Sequence, residues 1–478
     1  MNNNSACENT SVSQQNIEQF TNKKRGNFTG KLGFVLAAAG SAVGLGNLWR
    51  FPYLAAQHGG GMFVLCYVLL AVFFGVTLLM LEIAIGRNTG KSVVGAFSTF
   101  NKKFKWFGYL CLIVPIIIVP YYCVIGGWVL KYLYSFIIGS EGLVANGNAV
   151  VDTSKFFANF YTDPWQPLIF FLIFASVTVS IVTLGVQKGI EKMSKILMPI
   201  LAIIAVFLMV FVICQPGALQ GVGFFFIPDF SHFTFNTVLA ALGQLFYSLS
   251  IGMAIMITYG SYMKKSVSIK SSSVQIAVCD SAFAIVAGLI IIPAVFAFST
   301  DPNAVLKSQG PSLMFVQLTN VFNSIDGGGL LGRIIGIIFF LLVFFAAVTS
   351  SVSLVEAVVA VLCENLKIKR VYACLIVFGL IFVLGTLSSL GEGVLKPLSI
   401  AGKSILDCFD FLANNILMPI VAIITCVIAG WFIDKNLIPK EIGIDKNKGL
   451  NTYFNVIVRF VAPICILLIL ISGLFITF

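Results

Sequence analysis

Charge is what this 478-residue sequence has least of: Asp, Glu, Lys and Arg make up 10% of it, hydrophobic residues make up 58%, and mean hydropathy is +0.99. A chain so poor in charge cannot solvate itself as a soluble globule. Histidine is nearly absent, with only His58 and His232. The eleven cysteines, Cys66, Cys111, Cys123, Cys279 and Cys426 among them, fall mostly inside apolar stretches without CxxC or Cys/His ligand spacing. A histidine or thiolate metal centre therefore has too little to work with, and the cysteines read as small buried hydrophobes. No Cys/His or Ser/His pairing is visible either, so an enzyme is not expected. The stretch from Met1 to about Asn22 is rich in Asn, Ser and Gln and lacks an apolar core, which excludes a cleavable signal peptide and predicts a disordered tail over residues 1–24.

What the sequence has instead is long apolar runs. About eleven exceed the ~20 residues that cross ~30 Å of hydrocarbon as helix. They lie near 32–55, 61–86, 108–138, 167–185, 195–214, 236–263, 276–299, 330–363, 371–390, 396–433 and 453–478. The expectation is an all-α polytopic membrane protein. Lys and Arg gather in alternate loops, at Lys23 to Arg25, Arg87 to Lys105, Lys188 to Lys195, Lys264 to Lys270, Lys367 to Arg370 and Lys435 to Lys448. Positive loops stay in the cytoplasm, so the N-terminus is expected inside and the C-terminus outside. That bias also accounts for the net charge of +11 and leaves no case for a nucleic-acid partner.

Two runs are interrupted at mid-depth. The first reads LAAAGSAVGLGNLWRFPY, Leu36 to Tyr53, with Gly40, Gly44, Gly46, Asn47, Arg50 and Pro52 inside one crossing. The second, Leu242 to Gly260, carries Gln244, Ser248, Ser250 and Gly252. Glycine lowers the steric cost of unwinding, and backbone groups freed in hydrocarbon must find partners. Half-helix N-termini suit a carboxylate, whereas freed carbonyls suit a cation. Glycines in a membrane helix can also serve close helix packing, and for Gly40 and Gly44 alone the two readings are balanced. The recurrence of a break five spans later points to an inverted repeat with its ligand site between the halves. The expected halves are 25–214 and 215–433, followed by a loop and an eleventh helix over 434–478.

The string AAAGSAVGLGNLWRFPYLAAQHGGGMF, Ala37 to Phe63, resembles the first-helix signature of the neurotransmitter:sodium symporter family, and especially its bacterial amino-acid branch typified by the leucine transporter. Tyr121-Tyr122, GQLFYSLSIGMA (243–254) and FFAAVTSSVSLVE (344–356) extend the likeness, from about Arg25 through the tenth run. The resemblance implies a 5+5 inverted-repeat fold with helices one and six broken, and two sodium ions as cargo. One ion would use the carbonyls of Gly40, Val43 and Ala346 with the hydroxyls of Thr349 and Ser350. The other would use the Ala42 carbonyl, Asn47, Ser248 and Asp280, completed by the substrate carboxylate. All are oxygen donors, as a hard cation prefers.

Asp280 departs from the leucine-transporter pattern, which has Asn there. With Ala284 in place of a hydroxyl nearby, the expectation is that a fixed negative charge replaces chloride. Gly44 stands where the family's monoamine carriers have Asp, which implies a substrate bringing its own carboxylate to the Leu45 and Gly46 amides and the Tyr122 hydroxyl. Ile118, Tyr247, Ser250, Met253 and Leu354 would select a neutral hydrophobic side chain, with Ala42 and Ser248 alongside. Ala254 replaces a Gly and is expected to limit unwinding. Arg50 with Asp410 would form an outer gate near Tyr122 and Tyr247, and Arg25 with Glu364 an inner latch flanked by Phe28 and Tyr262. Glu82 is expected to satisfy freed backbone near the breaks. The function implied is sodium-coupled symport of an amino acid through a bacterial cytoplasmic membrane. A proton-coupled carrier using Asp280 or Glu82 is the alternative, as is a non-transporting sensor, although the short loops offer no output domain.

Overall fold

The computed structural model describes residues 26–144, 151–299, 301–306, 310–399 and 402–475. The N-terminal tail and Arg25 lie outside the described residues. Among the described residues nine apolar helices are each long enough to cross a bilayer: Gly61–Thr89, Lys102–Ile138, Gln166–Thr183, Val186–Ile213, Ile269–Phe298, Leu330–Leu366, Arg370–Leu390, Ile405–Phe432 and Lys448–Leu474. A tenth crossing is the bent pair Lys31–Ala42 and Gly46–Gln57. The eleventh is the interrupted pair Phe235–Ser248 and Ile255–Ser261. Numbered along the chain, these two broken spans are the first and the sixth.

Burial separates core spans from peripheral ones. Over its most apolar window span three is 78% buried, whereas spans five and eleven are only 28% and 22% buried. Span three packs along span eight, and the two broken spans lie beside this pair. Several helices begin earlier than hydropathy predicts: span three at Lys102, span five at Val186 and span seven at Ile269. Their first turns carry Lys102, Lys103 and Lys105, then Lys188 and Lys192, then Lys270 with three serines, so the backbone is helical before the sequence becomes apolar. Span ten starts later, at Ile405, because Pro397 opens a separate short turn and Gly402 turns the chain at φ +76°. Short helices between spans, including Val93–Phe100, Thr153–Thr162, Ala218–Phe226 and Leu437–Ile442, escape a search for long apolar runs.

The loop before span eleven is clasped to the rest. The Glu441 carboxylate accepts Arg87 Nε at 2.7 Å, Lys265 Nζ at 2.7 Å and Asn88 Nδ2 at 3.4 Å, joining the end of span two to the loop between spans six and seven.

Candidate functional site

The first span stops being helical between Ala42 and Gly46, where Val43 takes an extended conformation (φ −73°, ψ 98°), and its two halves differ in direction by 52°. The sixth span stops at Ser248 and restarts at Ile255. Between them Ser250, Gly252 and Ala254 all adopt positive φ, at 55°, 77° and 61°. Ala254 therefore does not limit unwinding: it takes the left-handed conformation itself and caps the returning helix. A Cβ there costs some strain, which the surrounding packing outweighs. Glu82 accepts the Gly252 N–H at 2.8 Å, so a buried carboxyl of span two satisfies an amide freed by the break.

The two breaks face one small cavity. Ala42, Gly44, Leu45, Gly46, Ile118, Tyr122, Tyr247, Ser248, Ser250, Met253 and Leu354 all line it. Ser41, Asn47, Ile255 and Ser350 line it as well. The Leu45 N–H donates to the Tyr122 hydroxyl at 3.4 Å, which fixes the phenol at the edge of the break. Gly44 keeps that edge open. A Cβ there would lie 2.5 Å from Ser350 Oγ and 3.1 Å from Tyr122 Oη.

Two clusters of oxygen flank the cavity. In the first, Ser350 Oγ lies 3.4, 3.0 and 3.3 Å from the carbonyl oxygens of Gly40, Ser41 and Val43, and Thr349 Oγ1 donates to Ala346 O at 3.0 Å. A hydroxyl has one proton, so three carbonyls crowd around a donor that can serve only one. In the second, Ser248 Oγ lies 2.7 and 2.8 Å from the two Asp280 carboxylate oxygens. Asn47 Nδ2 donates to Asp280 Oδ1 at 2.8 Å, and Tyr67 Oη donates to Oδ2 at 3.0 Å. Asp280 is fully buried, and no lysine or arginine pairs with it among the described residues. Carbonyl, hydroxyl and carboxylate oxygens in both sets suit a hard monovalent cation, while the Asn47 amide turns Nδ2 to Asp280 and its Oδ1 accepts the Gly44 N–H at 3.3 Å. Among the described residues no group of three or more His, Cys, Asp or Glu is placed to hold a metal ion.

The expected gates are placed less simply. Arg50 and Asp410 line one vestibule outside the cavity together with Tyr53, Tyr121, Tyr122 and Tyr247. They do not form an ion pair: the Arg50 guanidinium carbon sits 5.1 Å from the Tyr247 ring centre, and Asp410 accepts Asn414 Nδ2 at 2.7 Å. Asp407 caps its own helix with Ser404. At the inner end Arg25 lies outside the described residues, and Glu364 accepts the Ser92 N–H at 2.7 Å. Phe28 and Tyr262 do meet, through Phe28 N–H to Tyr262 O at 3.1 Å and rings 6.3 Å apart.

The contacts made by Tyr67, Glu356 and Gln244 are not legible in the sequence. Tyr67 completes the Asp280 cluster, and its only signal was a lone hydroxyl in an otherwise apolar run. Gln244 donates to the Gly46 carbonyl at 3.1 Å, tying the two broken spans together. Glu356 is buried at span eight, paired with Arg370 and accepting Tyr262 Oη at 2.7 Å. A carboxylate inside an apolar span was signal enough to look there.

Fold and site define a membrane carrier built on two broken helices, and the chain belongs to the sodium:neurotransmitter symporter family, whose pattern matches residues 25–141 and 162–477. A sodium-dependent transporter of Haemophilus influenzae is 34% identical over 466 residues, covering 95% of this chain and 99% of that protein. The sodium-dependent transporter YhdH of Bacillus subtilis is 35% identical over 447 residues, with 92% and 96% covered. Among solved structures, MhsT in complex with L-phenylalanine superposes with a TM-score of 0.83 at 37% identity, covering 94% of this chain and all of that one. The chain is thus a sodium-dependent transporter of this family and not an enzyme.

Proposed function

We propose that this protein carries a neutral, hydrophobic amino acid into the cell together with two sodium ions, by alternating access and without chloride. The observation that carries the reading is the cavity at Gly44: the Leu45 amide and the Tyr122 phenol border it, no acidic side chain lines it among the described residues, and its walls include Ile118, Met253 and Leu354. Such a site offers no side-chain carboxylate to an amine, so a substrate that brings its own carboxylate suits it. The phenylalanine bound by MhsT supports the same substrate class. In this reading one sodium sits among Gly40, Val43, Ala346, Thr349 and Ser350. The other sits among Ala42, Asn47, Ser248, Asp280 and the substrate carboxylate, so ion and amino acid bind cooperatively. Asp280 supplies the charge that chloride would otherwise bring. Residues 25–214 and 215–433 are the two inverted halves, span eleven is peripheral, and the N-terminus faces the cytoplasm of a bacterial inner membrane. Arg50 and Asp410 close over the ligand, and Arg25 and Glu364 latch the inner side.

The energetics suffice. Each charge moving down 100 mV releases ~2.3 kcal/mol and a tenfold gradient adds ~1.4, so two ions supply roughly 7 kcal/mol. That supports ~10⁵-fold accumulation of a zwitterion at ~1.4 kcal/mol per decade.

The test is uptake into proteoliposomes of labelled amino acids, with the twenty amino acids and several amines as competitors. Hydrophobic amino acids should compete and amines should not. Replacing sodium by choline at fixed pH should abolish uptake, and replacing chloride by gluconate should leave it intact. Uptake that persists in choline would overturn sodium coupling and favour protons.

A further inference from the structure

Arg459 is the one charged residue between Val456 and Phe475, the apolar part of span eleven. The helix begins polar, as KGLNTYFNV from Lys448, so the chain enters hydrocarbon near Val456 and Arg459 lies just inside that border. Span ten fixes its depth independently. Trp431, the penultimate residue of Ile405–Phe432, donates its indole N–H to the Arg459 carbonyl at 3.4 Å, and the guanidinium carbon lies 6.0 Å from the Trp431 ring. Gly430 makes room for the arginine stem, since a Cβ there would meet Arg459 Cγ at 2.8 Å.

The surroundings are those of a membrane interface. Trp431, Phe432 and Phe460 are 57%, 68% and 49% exposed, although they sit at the end of an apolar span. Phe104 packs edge-on against Phe432 at 5.6 Å, which brings the first turn of span three, with exposed Lys102 and Lys103, to the same rim. No acid answers these cations. Among the described residues Arg459 has no ion pair, and its Nε is buried without an acceptor. Asp445, the acid nearest to Arg459 in the sequence, is exposed and forms no ion pair among the described residues, and Asp434, three residues from Trp431, turns its carboxylate to the Asn436 N–H at 3.0 Å. A guanidinium at this depth is costly unless an anion reaches it, and the abundant anion at this depth is a lipid phosphate. The planar fork of Arg can hold two phosphate oxygens at once, which a lysine cannot do.

We propose that Arg459, seated on Trp431 and Phe432 with Lys102 and Lys103 at the rim, binds the phosphate headgroup of an anionic phospholipid in the leaflet bordering loop 433–447. The acyl chains then lie along Phe432 and Phe460. Free phosphate shares the charge but has nothing to cover those rings. This site is remote from the transport cavity and does not depend on the reading of it.

The test is lipid retention by the purified full chain in neutral detergent supplied with equal phosphatidylglycerol and phosphatidylcholine, counted by native mass spectrometry. Wild type should favour the anionic lipid by about fivefold, the size expected of one basic side chain at a lipid surface. Arg459→Gln should abolish the preference and Arg459→Lys should keep part of it. Trp431→Leu, which retains the cation and removes its shelf, should lower it too and carries the test if the Gln variant does not fold. An unchanged preference in these variants overturns the proposal. So does inorganic phosphate that displaces phosphatidylglycerol, because the ligand would then be the free anion.

Discussion

Asn47 and Asp280, 233 residues apart, meet through a 2.8 Å hydrogen bond from amide to carboxylate, in the first turn after the break in the first span. The same carboxylate gathers Ser248 and Tyr67. A buried carboxylate held only by neutral donors is stable if a cation joins it, and sodium is the cation of this family. Asp280→Asn removes the charge and keeps the shape. Sodium activation of uptake should then shift to at least about tenfold higher sodium, ~1.4 kcal/mol of lost attraction, with little change in the amount of folded protein. A sodium titration of wild type and variant reads this directly, and unchanged activation would detach Asp280 from the ion.

Gly44 tests the geometry of the substrate end. Gly44→Ala places a methyl 2.5 Å from Ser350 Oγ, so the hydroxyl or the broken backbone must shift. Substrate binding should fall by more than tenfold while secondary structure by circular dichroism stays intact. A smaller effect than that of Ile118→Ala would place the carboxylate elsewhere.

Glu82 is expected to act on the fold of the break. Glu82→Ala leaves the Gly252 N–H buried without an acceptor and should cost about 1–3 kcal/mol of stability. Glu82→Gln keeps a carbonyl oxygen at the same place and should recover most of it. Thermal unfolding of the two variants in one detergent discriminates: equal losses would mean that charge, and not acceptance of the amide, is what the site needs.

The Glu441 clasp carries a pH dependence. Burial pushes its carboxyl up, but hydrogen bonds from Lys265 and Arg87 and their charges outweigh this and hold it below the ordinary 4.5. A depressed folded value means that the stabilisation is complete above 4.5 and disappears as pH falls through the lower, folded value. Wild type should therefore exceed Glu441→Gln in thermal stability at neutral pH, and the two should converge only under more acidic conditions than 4.5. Hydrogen exchange in residues 437–442 should follow the same course, and convergence already at pH 6 would show that the clasp is held by something other than this charge.

How far the sequence carried the reading differs between parts of the molecule. The spans were legible because hydrocarbon demands about twenty apolar residues in a row, whatever the neighbours do. Their first turns were not, because Lys105, Lys188 and Lys270 are helical yet point into water. The breaks were legible from glycines and hydroxyls where apolar residues are the rule. Ala254 misled, because a propensity argument weighs one residue and the left-handed turn there is imposed by everything around it.

Sequence by itself determined that this chain crosses a membrane many times, breaks twice at mid-depth and carries oxygen donors at those breaks, since each of these is a local property of composition. Only the tertiary structure decided that Tyr67 joins Asp280, that Glu82 meets the Gly252 amide and that Arg50 rests on Tyr247 and does not pair with Asp410. Those are distances between residues far apart in the chain, and they follow from how the helices pack.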